Sequence, residues 1–273
     1  MRRATIRRVG RAHATIIEKV INVVMKDILR AYARAVKSLT ERGVLWHLIW
    51  PSLAAALVWL VLGIVFWQPM VDGVMGWIGS WDWAAQHMNT SELGAAAVLV
   101  LVKITLAVLF LPMVYVTAAL VVAVVALPMM LEKVAVTRYS DLEMRKGGTV
   151  TGSAINAVVA VLLFLVGIVV SLPFWLIPGV GLVVSILLTA WMNKKAFGYD
   201  ALMLHGDREE MPRLRKRYSA GLLGLGVGCA LLAYVPVLNL FAPAFCGLAY
   251  VHYLLEALRR ERGGPTMNGA MPA

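Results

Sequence analysis

The sequence predicts an all-α integral membrane protein, and three observations support that prediction. The chain of 273 residues is 60% hydrophobic and has a mean hydropathy of +0.78. Several apolar runs reach about 18 residues or more, the length at which a helix can cross a bilayer. The charged residues are segregated along the chain, which is typical of connectors on opposite sides of a membrane.

The net charge of +11 is distributed unevenly. Residues 1–42 contain eleven Lys or Arg and three Asp or Glu, and residues 193–217 contain seven and four. Residues 68–92 contain three acidic residues and no Lys or Arg. Since basic connectors stay cytoplasmic, we expect both termini inside and residues 68–92 outside. The same distribution favours anionic lipid, and not nucleic acid, as the partner of the basic segments.

The N-terminal region predicts a disordered basic arm over residues 1–15 and an amphipathic helix over residues 16–42. Apolar side chains recur at steps of three and four between Ile17 and Leu39, with basic residues largely on the other side. Such a helix is expected to lie in the cytoplasmic interface of the membrane. A helix that packs on its own protein is the alternative. No cleavable signal peptide is expected, because no apolar segment with a cleavage site follows the basic start.

A single helical membrane domain is predicted over residues 43–258, with a flexible cytoplasmic tail over residues 259–273. Its first span covers about residues 44–67, and residues 68–92 form an acidic loop. The next apolar run, residues 93–131, would be about 58 Å long as one helix, nearly twice the hydrocarbon thickness. We expect a second long span that is broken at Pro112 and Pro128. Two spans that meet at Pro112 are the alternative.

Two similar helical hairpins follow, at about residues 153–192 and 218–258. Their uncharged tips are "PFWLIPGVG" (Pro173–Gly181) and "YVPVLNLFAPAFCG" (Tyr234–Gly247). Pro178–Leu182 and Pro236–Leu240 share one five-residue pattern, which is proline, any residue, an apolar residue, Gly or Asn, and leucine. This match suggests an internal repeat. Because Gly and Asn readily adopt left-handed backbone conformations, sharp turns are predicted at Gly181 and Asn239.

Basic residues lie at the base of each hairpin, and the return arms are short. Both features favour re-entrant hairpins that enter from the cytoplasm and turn inside the bilayer. Two kinked spans with short apolar external turns remain the alternative. Broken backbone at membrane depth is tolerated where protein buries it or where it lines a polar cavity, and helix N-termini there bind anions. The candidate anion-binding residues at the tips are therefore Gly179, Gly181 and Asn239. The residues expected to shape the tips are Pro173, Pro178, Pro236 and Pro243.

Lys103 is the only charge in the run of residues 93–131. An ionisable side chain inside a membrane segment is a functional candidate, so Lys103 is predicted to attract an anion. The alternative is that its ammonium reaches the outer interface. A basic cluster before the second hairpin either collects anions or anchors the hairpin to lipid headgroups; it comprises Arg213, Arg215, Lys216 and Arg217.

The sequence offers no recognisable catalytic chemistry. The five histidines lack metal-ligand spacing, and the P-loop, GxSxG and HExxH motifs do not occur. Cys229 and Cys246 lie in apolar arms and are expected to be small buried hydrophobes. We therefore expect no enzymatic activity, no metal and no cofactor.

Several motifs resemble those of the CysZ-type sulfate permeases, whose domain is shared with etoposide-induced membrane proteins. The resemblance covers about residues 25–262 and rests on "LIPGVG", "AWM" (Ala190–Met192), "YD" (Tyr199–Asp200), "RLRKR" (Arg213–Arg217) and above all "VPVLNLFAPAFCG". It implies two spanning helices and two hemi-penetrating hairpins. It also implies homo-oligomers in the bacterial inner membrane that take up sulfate for cysteine synthesis.

One motif departs from that family. In the sulfate permeases the first span is preceded by Gly, an apolar residue and two arginines that help to bind sulfate. Here Gly43 and Val44 are followed by Leu45 and Trp46. Arg42, with Gly43, is therefore the candidate that supplies the charge from a shifted position. Two functions stay open: a permease for sulfate or a related oxyanion, and a non-transporting structural or interaction protein with the same fold.

Overall fold

The computed structural model describes residues 2–239 and 241–263, and the secondary structure assigned there is helical, without strands. The prediction of an all-α protein is confirmed. The α-helices are α1 Arg2–Leu39, α2 Arg42–Gly79, α3 Asp82–Thr90, α4 Glu92–Val121, α5 Leu127–Arg138, α6 Val150–Ser171, α7 Val180–Asp200, α8 Glu210–Arg217, α9 Ser219–Leu232, α10 Pro236–Asn239 and α11 Ala242–Glu261. A π-helical segment, Val122–Ala126, precedes α5, and a 3₁₀ turn, Leu172–Leu176, follows α6.

Four helical segments in the described part of the chain are long and apolar enough to cross a bilayer. They are Arg42–Gly79, Glu92–Thr117, Val150–Leu176 and Val180–Asp200. Only 11–12% of their most apolar windows is buried inside the protein, so most of this apolar surface is available to lipid. Ser219–Leu232 is apolar but shorter. The sequence predicted two long spanning helices, whereas helix length and composition identify four candidates.

The chain divides into two compact units, and residues 46–126 form one of them. Its core consists of Val71 from α2 with Val102 and Leu106 from α4. Further along, Trp59 Nε1 donates a hydrogen bond to Thr117 Oγ1 at 3.0 Å, and its ring meets Phe110 edge to face. These contacts make α2 and α4 a pair of apolar helices.

The acidic loop predicted at residues 68–92 is largely helical instead. Helix α2 continues to Gly79, and α3 occupies Asp82–Thr90. The apolar residues of this stretch recur at helical spacing, and they pack on the core of the unit: Met70, Val74, Met75 and Ile78. That packing explains why the helix does not end at Trp67.

The long apolar run is broken at a single place. Helix α4 continues through Pro112, so the predicted break there is wrong. The α-helical pattern changes in Val122–Ala126, just before Pro128. A proline has no N–H to donate to the preceding turn, and a π-helical segment is one way in which a helix absorbs that loss.

Residues 1–45 and 127–273 form the other unit, and α11 is its central helix. Every residue from Ala244 to Arg259, except Phe245, is buried. Helix α11 packs mainly against α1 and α5, and also contacts α7 and α9. Close approach is helped by Gly247, where an added Cβ would lie 2.9 Å from Leu131.

Helix α1 uses part of its surface to pack on this unit. Ile28, Ala31, Ala35 and Ser38 are buried on one face, and α11 is its main neighbour. Other apolar residues of α1 remain exposed: Ile21, Val23, Met25, Leu29 and Val36. The structure therefore contains the internal packing that the sequence left as an alternative, together with an apolar surface that a membrane interface would cover. The backbone is already helical from Arg2, where the sequence predicted a disordered arm.

The two hairpins have arms of different lengths. In the first, α6 has 22 residues and α7 has 21, so the return arm is longer than the predicted residues 182–192. In the second, α9 has 14 residues and α11 has 20. At about 1.5 Å per residue, α9 is about 21 Å long and falls short of a hydrocarbon core of about 30 Å. Helix α11 continues to Glu261, and most of the predicted tail lies outside the described residues.

Candidate functional site

The first hairpin turns at Ile177–Val180. The Val180 N–H donates to the Ile177 carbonyl at 3.1 Å, Pro178 occupies the second position, and Gly179 the third. Gly179 has φ +82° and ψ −28°, values that match a type II turn, in which glycine is favoured at this position. Pro178 fixes the φ angle that the turn needs. This turn is therefore specified by the Pro-Gly pair.

Gly181 has a different role from the one predicted. Its φ is not in the left-handed region, which among the described glycines is confined to Gly179 and Gly263. A Cβ on Gly181 would lie 3.0 Å from the Trp175 ring and 3.1 Å from the Trp175 Cα. Gly181 is thus required for the close approach of the 3₁₀ turn, which contains Pro173 and Trp175. The Gly181 carbonyl accepts a hydrogen bond from Ser185 Oγ at 2.8 Å.

The first tip presents the N-terminus of α7 without a charged side chain. Gly179 is the N-cap residue and has no side chain with which to cap the helix. The first turn of a helix has N–H groups without intrahelical partners, and the aligned peptide dipoles make this end attractive to anions. The surrounding side chains are apolar and exposed: Leu172, Phe174, Trp175, Leu176 and Ile177.

The second tip has another backbone path. The Asn239 N–H donates to the Val235 carbonyl at 2.8 Å, which makes Asn239 the last residue of α10. Among the described non-glycine residues only Lys146 has a positive φ, so the left-handed turn predicted at Asn239 is wrong. Pro236 begins α10, and Pro243 lies in the first turn of α11, where its missing N–H costs no helical bond.

The start of α2 places a cation near Gly43. The Lys133 Nζ donates a hydrogen bond to the Gly43 carbonyl at 3.2 Å, while Arg42 is exposed one residue earlier. Glu41 pairs with Arg138 from the same helix as Lys133. Lys133 is 90 positions from Gly43 in the sequence, and no local pattern connects the two residues, so Lys133 was not among the predicted site residues.

Lys103 lies on the exposed face of α4. Val102, next to it, and Leu106 are buried in the core of residues 46–126, whereas Lys103 itself is exposed. Among the described residues it has no ion pair. Its exposure is compatible both with a role in attracting anions and with an ammonium that reaches a headgroup region.

A buried charge cluster fixes the base of the second hairpin. The Arg259 side chain is 2% exposed, donates to both Asp141 carboxylate oxygens at 2.8 and 2.5 Å, and reaches Glu256 at 3.2 Å. Glu256 also accepts from Arg34 of α1 at 3.0 Å. The Arg259 guanidinium lies over the Tyr139 ring, 4.9 Å from its centroid. The cluster ties α1 and residues 139–141 to α11.

A second cluster organises the connector after α7. The Arg262 guanidinium donates to both carboxylate oxygens of Glu210, at 2.9 and 2.5 Å, and lowers the pKa of that carboxyl. Asp207 accepts the backbone N–H groups of Glu209 and Glu210, and the latter bond is the main reason that the pKa of Asp207 is lowered. These carboxylates are therefore held in the ionised form.

His205 is buried beside this cluster, and neither ring nitrogen meets a hydrogen-bond partner in the described structure. Burial lowers the pKa of His205, and the positive charge of Arg262 lowers it further. The nearby Tyr139 backbone acts in the opposite direction but more weakly. The imidazole is consequently neutral at physiological pH.

The described residues contain no group of three or more His, Cys, Asp or Glu side chains that would hold a metal ion. Cys229 and Cys246 are buried free thiols, as their apolar surroundings predicted. The structure thus brings Gly179 and Gly181 together at one tip, and Arg42, Gly43 and Lys133 together at the start of α2.

The sequence of residues 31–243 matches the family described as "Sulfate transporter CysZ/Etoposide-induced protein 2.4". The match covers well over half of the chain; it includes the first hairpin tip and reaches Pro243 in the second. No curated protein matches the sequence.

Proposed function

The chain belongs to the sulfate transporter CysZ/etoposide-induced protein 2.4 family, and from this premise we propose that it is a membrane permease for sulfate or a related oxyanion that supplies sulfur assimilation. Apolar helices long enough to cross a bilayer support a membrane location. The observation that carries the proposal is the first tip. There Gly179 lies between the apolar segments Val150–Leu176 and Val180–Asp200, and the N-terminus of α7 that follows it has no side-chain cap.

The proposed path combines backbone and side-chain donors. The N–H groups of the first turn of α7 would replace part of the hydration shell of the anion, and Arg42 and Lys133 would raise its local concentration. Lys103 is proposed separately, as a cation that attracts anions to the unit of residues 46–126. No single site of this kind binds an anion tightly, and conduction requires that the ion can leave again. Asn239 is proposed as a polar contact at the second tip.

The membrane arrangement is part of the same proposal. Helix α9 is too short to cross, which favours a second hairpin that enters the bilayer and returns. We place the basic hairpin bases and both termini in the cytoplasm of a bacterial inner-membrane protein, and we propose homo-oligomers, in line with the family. The exposed apolar face of α1 would lie in the lipid interface.

A non-transporting structural or interaction protein is the second candidate, and one contact favours it. Leu45 and Trp46 stand where the sulfate permeases have arginines, and the Gly43 carbonyl is occupied by Lys133. That contact can serve to hold the start of α2 against α5 without any ligand.

Uptake of radiolabelled sulfate into liposomes that contain the purified protein tests the proposal. We expect saturable uptake above that of empty liposomes, inhibited by sulfite or phosphate. Arg42→Gln and Lys103→Gln should each reduce this uptake, whereas substitution of the exposed Arg208 by Gln should not. Thermal unfolding should first show that the purified protein is folded. If such protein then carries no flux of sulfate, sulfite or phosphate, the non-transporting candidate is favoured.

A further inference from the structure

An arginine-lined cleft lies where α8 and α11 meet, at the base of the second hairpin. Its open outer part has a volume of about 410 Å³ and is lined by Arg213, Arg217, Tyr218, Arg260 and Glu261. A narrower inner part has room for about one water molecule. It shares Tyr218 and Arg260 with the outer part and adds charged residues of α1 and α11: Asp27, Arg30, Arg34 and Glu256.

The cleft carries an excess of positive charge. Five arginines face three carboxylates across its two parts, which leaves two positive charges uncompensated. The cations of the outer part come from two different helices, since Arg213 and Arg217 lie on α8 and Arg260 on α11. Because these guanidinium groups converge on one concavity, their fields add there.

The existing ion pairs orient these arginines and leave donors available. Arg260 donates to both Asp27 carboxylate oxygens, at 2.6 and 2.8 Å, which fixes its position. Glu261 accepts one hydrogen bond from Arg213 at 3.4 Å and one from Arg217 at 2.9 Å. A guanidinium has five N–H donors, so each of these side chains can also donate to a ligand. The Arg213 and Arg217 side chains are 59% and 67% exposed and therefore accessible.

The donor set identifies the chemistry of the ligand. Guanidinium groups present pairs of parallel N–H donors that match two oxygens of a tetrahedral oxyanion, and arginine is the side chain preferred for such recognition. The Glu261 carboxylate, which lines the outer cleft, accepts hydrogen bonds from Arg213 and Arg217, so these two guanidinium groups already converge on anionic oxygens. The cleft is too open and too polar for an apolar ligand.

We propose that this cleft binds a tetrahedral oxyanion of the sulfate or phosphate type, through Arg213, Arg217 and Arg260. The anion is supplied either as a free ion or as the phosphate of a lipid headgroup, since both present the same oxygens. The inference does not depend on transport: the cleft binds its ligand whether or not the protein conducts sulfate.

Direct binding to the purified full chain tests this inference. Radiolabelled sulfate or inorganic phosphate, added to the protein in detergent, reports the free ion, and native mass spectrometry after addition of phosphatidylglycerol reports the lipid. The double variant Arg213→Gln/Arg217→Gln should weaken binding by about tenfold or more, because it removes hydrogen bonds to a charged ligand. Arg208→Gln is the control, as it removes one exposed guanidinium close to α8 but outside the cleft.

A second variant separates this result from simple misfolding. Glu261→Gln keeps the shape of the side chain but removes the competing negative charge, so it should tighten binding severalfold. Misfolding would not increase affinity. Binding of sulfate or phosphate supports the free ion as the ligand, and retention of phosphatidylglycerol alone supports the headgroup. If neither ligand binds, or if the double variant binds as Arg208→Gln does, the inference is overturned.

Discussion

The ammonium of Lys133 lies 3.2 Å from the carbonyl oxygen of Gly43, and the glycine makes this approach possible. A Cβ on residue 43 would be 2.4 Å from the Lys133 Nζ. The contact therefore couples a position that the sequence marked as a candidate site to a cation that the sequence did not reveal. It provides a positive charge close to the place where Leu45 and Trp46 have replaced the expected arginines.

Gly43→Ala should displace the Lys133 ammonium without unfolding the protein. The clashing atom is the end of a flexible side chain, so we expect a loss of stability below about 1 kcal/mol. If the ammonium assists an anion, sulfate uptake should fall severalfold. Uptake into liposomes and thermal unfolding of the same preparation provide the two measurements.

Gly73→Ala is the matched control for that substitution, because it lies in the same helix and no atom lies within 4 Å of its added Cβ. Equal uptake by the two variants would show that Lys133 acts only as a packing contact of α2.

Gly179→Ala should destabilise the first hairpin through its backbone alone. Nothing lies within 4 Å of an added Cβ, but φ is +82°, a conformation that costs a residue with a Cβ about 1–2 kcal/mol. Gly179→Asn should cost less, since asparagine tolerates this region better. Thermal unfolding in detergent measures both variants. Equal losses of stability in the two variants would show that the left-handed conformation is not the reason for glycine at position 179.

The two hairpin tips differ in how much of their backbone conformation local sequence determines. The Pro-Gly pair of the first tip specifies its turn locally, but the sequence prediction placed that turn at Gly181, two residues after Gly179. Gly181 and Asn239 were expected to be left-handed by composition, but Trp175 packing determines the first and a helical hydrogen bond determines the second. Partners that are distant in the sequence decide such positions, and no local pattern contains them.

In residues 68–92, too, packing determines a structure that local charge did not predict. The spacing of Met70, Val74 and Ile78 is helical, but the acidic charges of residues 68–92 drew the prediction toward a loop. Packing of those apolar residues on the α2–α4 core outweighs the solvation preference of a few carboxylates. Charge alone is therefore a weak guide to where a helix ends.

Arg259→Gln should be among the most destabilising single substitutions in the chain. The side chain is 2% exposed and compensates Asp141 and Glu256, and Glu256 is itself only 7% exposed. Removal of one partner from a buried ion pair costs about 3–5 kcal/mol. Arg213→Gln, in an exposed pair with Glu261, should cost less than about 1 kcal/mol. Chemical denaturation in mixed micelles measures the difference, and similar losses for both variants would contradict the structural role of the buried cluster.

Acidification should destabilise the protein in two steps. The pKa of His205 is lowered from its ordinary value of 6.5, so the unfolded chain binds a proton first as the pH falls below about 6.5, and stability declines from there. The pKa values of Asp207 and Glu210 are lowered from 3.8 and 4.5, so their contribution is present above about pH 4.5 and is lost below it. Unfolding temperatures measured from pH 8 to pH 3 should show both declines.

His205→Leu measures the contribution of His205 to the first step, to which the buried His252 also contributes, because burial lowers the pKa of His252 to about 3. Leucine cannot take up a proton, so the decline that begins near pH 6.5 should become smaller while the decline below about pH 4.5 remains. Because the imidazole nitrogens are buried without partners, their removal should not lower stability at pH 7.5. Asp207→Asn is the complementary variant, and it should reduce the lower step and leave the upper step in place. An unchanged upper decline in His205→Leu would assign that decline to another group and would show that burial of His205 does not control the response to acid.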